Sequence, residues 1–128
     1  MGLFTPGEHG STFGGNPLGA AVARAALKVL VEEKLSERSD ELGTYFMEQL
    51  AEIPTLHVKE IRGKGLLIGV ELKPEAQGAR RFCEALQERG ILAKETHEHV
   101  IRFAPPLVID KETIDGILPT IREVLNMV

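Results

Sequence analysis

Apolar side chains recur every three to four residues from Pro17 to about Glu33, where Leu18, Val22, Ala26, Val29 and Leu30 share one face and Ala20, Ala21, Ala23 and Ala25 fill in between. Asn16-Pro17 is a good start for that helix: Asn accepts from orphan N–H groups of the first turn, and Pro at the first helical position forfeits no bond. The alanines favour the helix and let another element approach closely. A second helix is predicted from about Ser36 to Ala51, with Leu42, Phe46, Leu50 and Ile53 at nearly fourfold spacing and Pro54 as its stop. The period then shortens. His57 to Arg62 and Leu66 to Leu72 read as strands joined by Gly63-Lys64-Gly65, whose glycines permit the positive φ of a tight reversal, so an antiparallel pair is expected.

A third helix from about Ala76 to Arg89 would bury Phe82, Leu86 and Cys83, with Gly90 as its C-terminal cap. Short strands follow at Ile91 to Lys94 and at Val100 to Phe103. After Pro105-Pro106, Asp110 can cap a last helix carrying Ile114, Ile117, Ile121, Val124 and Leu125. Pro119 lies inside it; an interior proline costs roughly 3 kcal/mol, so a kink or break is expected there. Helices on a small, antiparallel sheet of three to four short strands define an α+β fold.

The first sixteen residues are different in kind. Gly2, Gly7, Gly10, Gly14 and Gly15 alternate with Thr5, Ser11 and Thr12 without any apolar period, which reads as a loop or tail. A length of 128 residues is room for one compact domain. Hydrophobic residues at 43% and charged residues at 27% exclude both a disordered chain and a membrane protein, and Gly65 to Val70, the longest nearly apolar stretch, is too short to cross a bilayer. With 19 acidic against 15 basic side chains, a net charge of -4, no Trp and one Tyr, a nucleic-acid surface is not expected. The single cysteine, Cys83, cannot close an internal disulfide, and the N-terminus has no basic and apolar leader pattern; a reducing, cytoplasmic location follows as the expectation.

Several chemical signatures fail on spacing. Gly63-Lys64-Gly65 precedes a strand, not a helix, so it is no dinucleotide fingerprint, and Gly14-Gly15 lacks the Lys-Ser/Thr of a P-loop. His97-Glu98-His99 sets its histidines two apart, which serves no zinc pattern, so no metal is expected and the segment reads as a polar turn. Two segments survive. In His9 to Pro17, Ser11, Thr12 and unhindered backbone N–H groups precede a helix N-terminus, a place suited to a phosphate; a capped loop that binds nothing is the alternative. In Val100 to Leu107, Arg102 leaves a short apolar strand just before a stiff Pro-Pro exit. Its planar fork matches a carboxylate in two bonds, although a structural ion pair would use it equally well.

Those segments form a larger pattern. His9-Gly10-Ser11-Thr12-Phe13-Gly14-Gly15-Asn16-Pro17-Leu18, then Arg62-Gly63-Lys64-Gly65-Leu66-Leu67, then Ile101-Arg102-Phe103-Ala104-Pro105-Pro106-Leu107-Val108-Ile109, in that order, resemble the class III, pyridoxal-phosphate-dependent aminotransferases, with wording nearest the ornithine-using branch. The resemblance runs from about Phe4 to the C-terminus and corresponds to the last third of such an enzyme. It implies that residues 1–16 end the large cofactor domain, 17–35 form a linking helix, and 36–128 form the small C-terminal domain of a fold-type I aminotransferase. It also implies that Thr12, with Ser11 beside it, reaches the phosphate of pyridoxal 5'-phosphate in the site of a second subunit, and that Arg102 receives a substrate carboxylate.

The Schiff-base lysine of the family belongs to the large domain. None of Lys28, Lys34, Lys59, Lys64, Lys73, Lys94 or Lys111 stands at its place, so no catalytic residue is assigned. The implied activity exchanges ornithine and 2-oxoglutarate for glutamate semialdehyde and glutamate in a homodimer, with the site completed by a large-domain polypeptide or second subunit. Alone, the chain is expected to be inactive and to bind the cofactor weakly or not at all. The alternatives are a non-catalytic α+β binding or assembly module, and part of a class III enzyme acting on acetylornithine or 4-aminobutyrate.

Overall fold

A computed structural model describes residue 5 and residues 7–127; the start of the glycine-rich loop read over 1–16 therefore lies outside the described residues. The chain divides into two compact units, 1–34 and 35–128. In the first, α1 (Pro17–Glu32) begins as its sequence predicts. The Asn16 side chain accepts from the Gly19 N–H at 2.7 Å and Pro17 occupies the first turn. None of its residues is buried among the described residues, and Leu18, Val22 and Val31 are largely exposed.

The second unit holds α2 (Leu35–Ala51), β1 (Val58–Lys64), β2 (Leu67–Leu72), α3 (Arg80–Glu88), β3 (Lys94–Thr96), β4 (Val100–Phe103) and α4 (Lys111–Leu125). The four strands make one antiparallel sheet in the order β1-β2-β4-β3. Strand alternation sorts its faces. Ile68, Val70 and Leu72 of β2 and Ile101 and Phe103 of β4 are buried, while Leu67, Gly69, Glu71, Val100 and Arg102 between them point the other way. The buried set joins Phe46 and Leu50 of α2, Phe82 and Leu86 of α3, and Ile114, Ile121, Val124 and Leu125 of α4 in one core. The result is α+β with helices on one face of the sheet and the other face open among the described residues.

Four local expectations are corrected. Gly63 and Lys64 are the last residues of β1, and the reversal falls at Gly65-Leu66, with Lys64 opposite Leu67 and Gly65 at φ 53°. Gly63 serves close approach, because a Cβ there would lie 2.6 Å from the Leu67 carbonyl oxygen. The third helix starts at Arg80, not Ala76. Gln77 and Gly78 have φ of 60° and 92°, and the Ala79 N–H donates to the Glu98 carbonyl at 2.7 Å, which breaks the chain between a 3-10 turn at Pro74–Ala76 and α3. The Ile91 N–H is spent on the Leu86 carbonyl at the end of α3, alongside Gly90 at φ 83°, so the third strand begins at Lys94 rather than Ile91. Finally, α4 is unbroken across Pro119. The bond that proline cannot make would go to Asp115, an exposed residue whose carbonyl water can satisfy, while Ile114 and Ile121 on either side are fully buried and hold the helix by packing.

The β1–β2 turn is seated on α2. A Cβ on Gly43 would lie 2.0 Å from the Gly65 carbonyl oxygen, and one on Gly65 would lie 2.5 Å from Ser39 Oγ. The Leu66 N–H donates to Ser39 Oγ at 3.1 Å and Lys64 Nζ to Asp40 Oδ1 at 2.9 Å. Because helix backbone meets turn backbone here, neither side can yield as a flexible side chain would. Gly43→Ala is therefore expected to destabilise the chain by about 3 kcal/mol or more in urea unfolding. Gly116→Ala, whose Cβ would meet nothing, should instead stabilise by roughly 0.5–1 kcal/mol.

Candidate functional site

Arg102 is the middle of β4, between two residues that anchor the strand: Ile101 is fully buried and Phe103 is 3% exposed, packed on Phe46 with ring centroids 5.8 Å apart. Period-two alternation then turns Arg102 onto the open face. It opposes Gly69 of β2 on one side and Lys94 of β3 on the other, and Gly69 in turn opposes Arg62 of β1. One rung of the sheet thus carries Arg62, Gly69, Arg102 and Lys94, three cations and a residue with no side chain. Arg62, Leu67, Gly69, Thr96, Val100 and Arg102 line a depression of about 250 Å³ over this rung.

The cations of the rung are not equivalent. Arg62 Nη1 donates to Glu71 Oε2 at 2.5 Å and to Glu60 Oε2 at 3.2 Å. Lys59 Nζ donates to the other oxygen, Glu71 Oε1, at 2.5 Å. The hydrogen bond from Lys59, followed by that from Arg62, holds the Glu71 carboxyl below its ordinary pKa against the opposing effect of burial. Arg102 has neither an ion pair nor a hydrogen bond among the described residues. It is a guanidinium on a rigid mount with its fork open.

The exit from β4 is clamped by a residue that the sequence pattern did not single out. Arg38 of α2 donates from Nη2 to the Ile109 carbonyl at 2.8 Å, and the Ile109 N–H donates to the Pro106 carbonyl at 3.0 Å. The Pro105-Pro106 segment is thereby tied to a helix 71 residues distant in sequence. Arg62, Gly69, Glu71 and Lys94 were equally out of view, since only the strand register places them around Arg102.

Ser11 and Thr12 belong to the first unit. Both are exposed, and neither hydroxyl has a hydrogen-bond partner among the described residues. The Gly14 N–H donates to the Ser11 carbonyl at 3.4 Å, the Asn16 N–H to the Phe13 carbonyl at 3.3 Å, and Gly15 takes φ 75°, which turns the chain into the start of α1. Two open hydroxyls in a glycine-rich turn just ahead of a helix N-terminus are a donor set that fits a phosphate. Cys83, by contrast, is buried in the core, and burial pushes its thiol up to about 11, so it is a packing residue and not a nucleophile.

The family sequence pattern described as aminotransferase class-III matches residues 1–125. The chain belongs to the class III aminotransferases. Among curated relatives of this class III chain, the ornithine aminotransferase of Staphylococcus carnosus is 59% identical over 126 residues, covering 98% of this chain and 31% of that protein. That of Bacillus subtilis is 56% identical over 126 residues, with the same shares. Among solved structures, the ornithine aminotransferase from Plasmodium yoelii superposes with a TM-score of 0.85 at 41% identity, over 95% of this chain and 33% of that one. The acetylornithine aminotransferase from Elizabethkingia anophelis does so with a TM-score of 0.83 at 45% identity, over 95% and 30%. The chain spans less than a third of the length of the curated relatives it matches. The α+β architecture is that of a part of the pyridoxal-phosphate aminotransferase fold. No helix among the described residues is long and apolar enough to cross a membrane.

Proposed function

We propose that this chain is the C-terminal part of an ornithine aminotransferase, which moves the terminal amino group of ornithine to 2-oxoglutarate and yields glutamate semialdehyde and glutamate. The observation that carries the reading is Arg102, an unpaired guanidinium on a rigid strand in a chain 59% identical to an ornithine aminotransferase. Its role is to receive the substrate carboxylate in two parallel hydrogen bonds, which fixes where the rest of the substrate points. Thr12, with Ser11 beside it, donates to the phosphate of pyridoxal 5'-phosphate. When bound, that cofactor supplies the electron sink that amino-group transfer needs. Residues 1–16 would then close the large domain, 17–35 link it, and 36–128 form the small domain, in a homodimer working in the cytoplasm.

The remaining parts of the site belong to other polypeptide, whether a large domain or a second subunit, because no lysine of this chain is assigned to the cofactor. A second reading, transfer from acetylornithine, is favoured by the 45% identity to an acetylornithine aminotransferase. Relative turnover of the two amines by the assembled enzyme separates them.

The 128-residue chain alone, supplied with pyridoxal phosphate, ornithine and 2-oxoglutarate, is expected to show no transamination; turnover would overturn the division of the site. In the assembled enzyme, Thr12→Val keeps the shape and removes the hydroxyl, so cofactor affinity should fall by about 10- to 150-fold, the worth of a hydrogen bond to a charged group, in a titration. Arg102→Lys should raise the KM for 2-oxoglutarate more than that for ornithine, because an ammonium lacks the two-bond fork. An equal effect on both substrates would make Arg102 structural.

A further inference from the structure

Pro119 has a consequence on the surface of α4 that the packing of the core does not use. Its missing N–H frees the Asp115 carbonyl, and Asp115, Leu118, Pro119 and Arg122 recur at the three- and four-residue spacing that puts them on one stripe of the helix. Together with Gln49 of α2 they line a groove of about 400 Å³, within the size range of small-molecule sites. The groove lies in the helical layer, which covers the sheet face opposite to the one that displays Arg102.

It carries one charge at each end. Asp115 and Arg122 are seven residues apart in the sequence, about 10 Å along the helix axis, with Leu118 and Pro119 as an apolar floor between them. Helical side chains lean toward the N-terminus, so a long one at Arg122 reaches back over Pro119. Neither the Arg122 guanidinium nor the Gln49 side-chain amide has a partner among the described residues. Asp115 Oδ1 accepts from the Tyr45 hydroxyl at 2.5 Å, which steadies the carboxylate and leaves Oδ2 open. Lys111, one turn before Asp115, lies over the Tyr45 ring at 4.4 Å from its centroid. A lone anion would gain Arg122 and be repelled by Asp115, and a lone cation would meet the reverse. Only a molecule with both charges satisfies both ends.

We propose that this groove binds the zwitterion of a free α-amino acid. The carboxylate goes to Arg122 and Gln49, the ammonium to Asp115 Oδ2 and the carbonyl that Pro119 frees, and the side chain lies over Leu118 and Pro119. The site uses none of the residues given a role in amino-group transfer, so it stands or falls apart from that reading.

The test is an NMR titration of the isotope-labelled 128-residue chain with glycine and with L-leucine, using acetate and methylammonium as the two halves of the ligand. Both amino acids should shift the Gln49 side-chain amide saturably, with a Kd on the order of millimolar and L-leucine the tighter. Acetate and methylammonium at the same concentrations should not saturate it. Arg122→Met and Asp115→Asn should each weaken binding roughly two- to five-fold, the factor an exposed ion pair is worth. Pro119→Ala restores the helix bond and removes the free acceptor, so it should raise the Tm while weakening amino-acid binding, a combination that damage to the fold cannot produce. Shifts that stay linear with concentration, shifts that either half-ligand reproduces, or a Pro119→Ala chain that binds as tightly as the unmodified one overturn the proposal.

Discussion

The structure depends on a sheet that is covered on one side only. Ile68, Val70, Leu72, Ile101 and Phe103 must all face the helices, since together they are the sheet's share of the core. A slip of one residue in any strand would turn that set outward, so the register is strongly specified. The same requirement sends every second residue to the open face. Arg102 is displayed there because its two neighbours are buried, and it shares its rung with Arg62 and Lys94 because antiparallel pairing on both sides leaves no other arrangement.

Two long-range attachments make that display rigid, and both come from α2. Gly43 lets the helix backbone touch the Gly65 turn, which fixes the end of β1 and the start of β2. Arg38 holds the chain beyond Pro105-Pro106 through the Ile109 carbonyl. The helix therefore grips one end of the sheet, where the Gly65 turn and the exit of β4 after Phe103 both lie, one rung past Arg102. Under the role proposed for Arg102, meeting a carboxylate in a fixed plane benefits from a mount that does not rock. The charges around it follow the same logic. Glu60 and Glu71 lie directly opposite each other, a costly arrangement in a bare sheet, and Lys59 and Arg62 offset it. Arg102 is the rung's guanidinium without a partner among the described residues.

Helix ends were the most legible part of the sequence. Asn16 and Asp110 accept from the N–H groups three residues on, and Gly90 adopts the left-handed backbone after α3, because each of these bonds is made between close neighbours in the chain. The misplaced boundaries have two causes. The start of α3 was settled by a distant partner, the Glu98 carbonyl that accepts from the Ala79 N–H, whereas the end of β1 and the start of β3 turn on near neighbours, Gly63 against Leu67 and the Ile91 N–H on the Leu86 carbonyl. Pro119 is the reverse case, a strong local signal overridden by the burial of Ile114 and Ile121. Of the candidate site, Ser11, Thr12 and Arg102 could be picked out from their sequence settings, while Arg38, Arg62, Glu71 and Lys94 could not.

The sequence by itself determined the class of fold, the helix caps, the outward turn of Arg102 between two apolar neighbours, and the family to which the ordered motifs belong. All of these depend on periodicity or on residues a few positions apart. Only the tertiary structure decided which charges surround Arg102 and which of them are already paired. Strand order and register join residues up to 40 positions apart, from Arg62 through Gly69 to Arg102, and the pairing energy that selects them comes from burial of the opposite face.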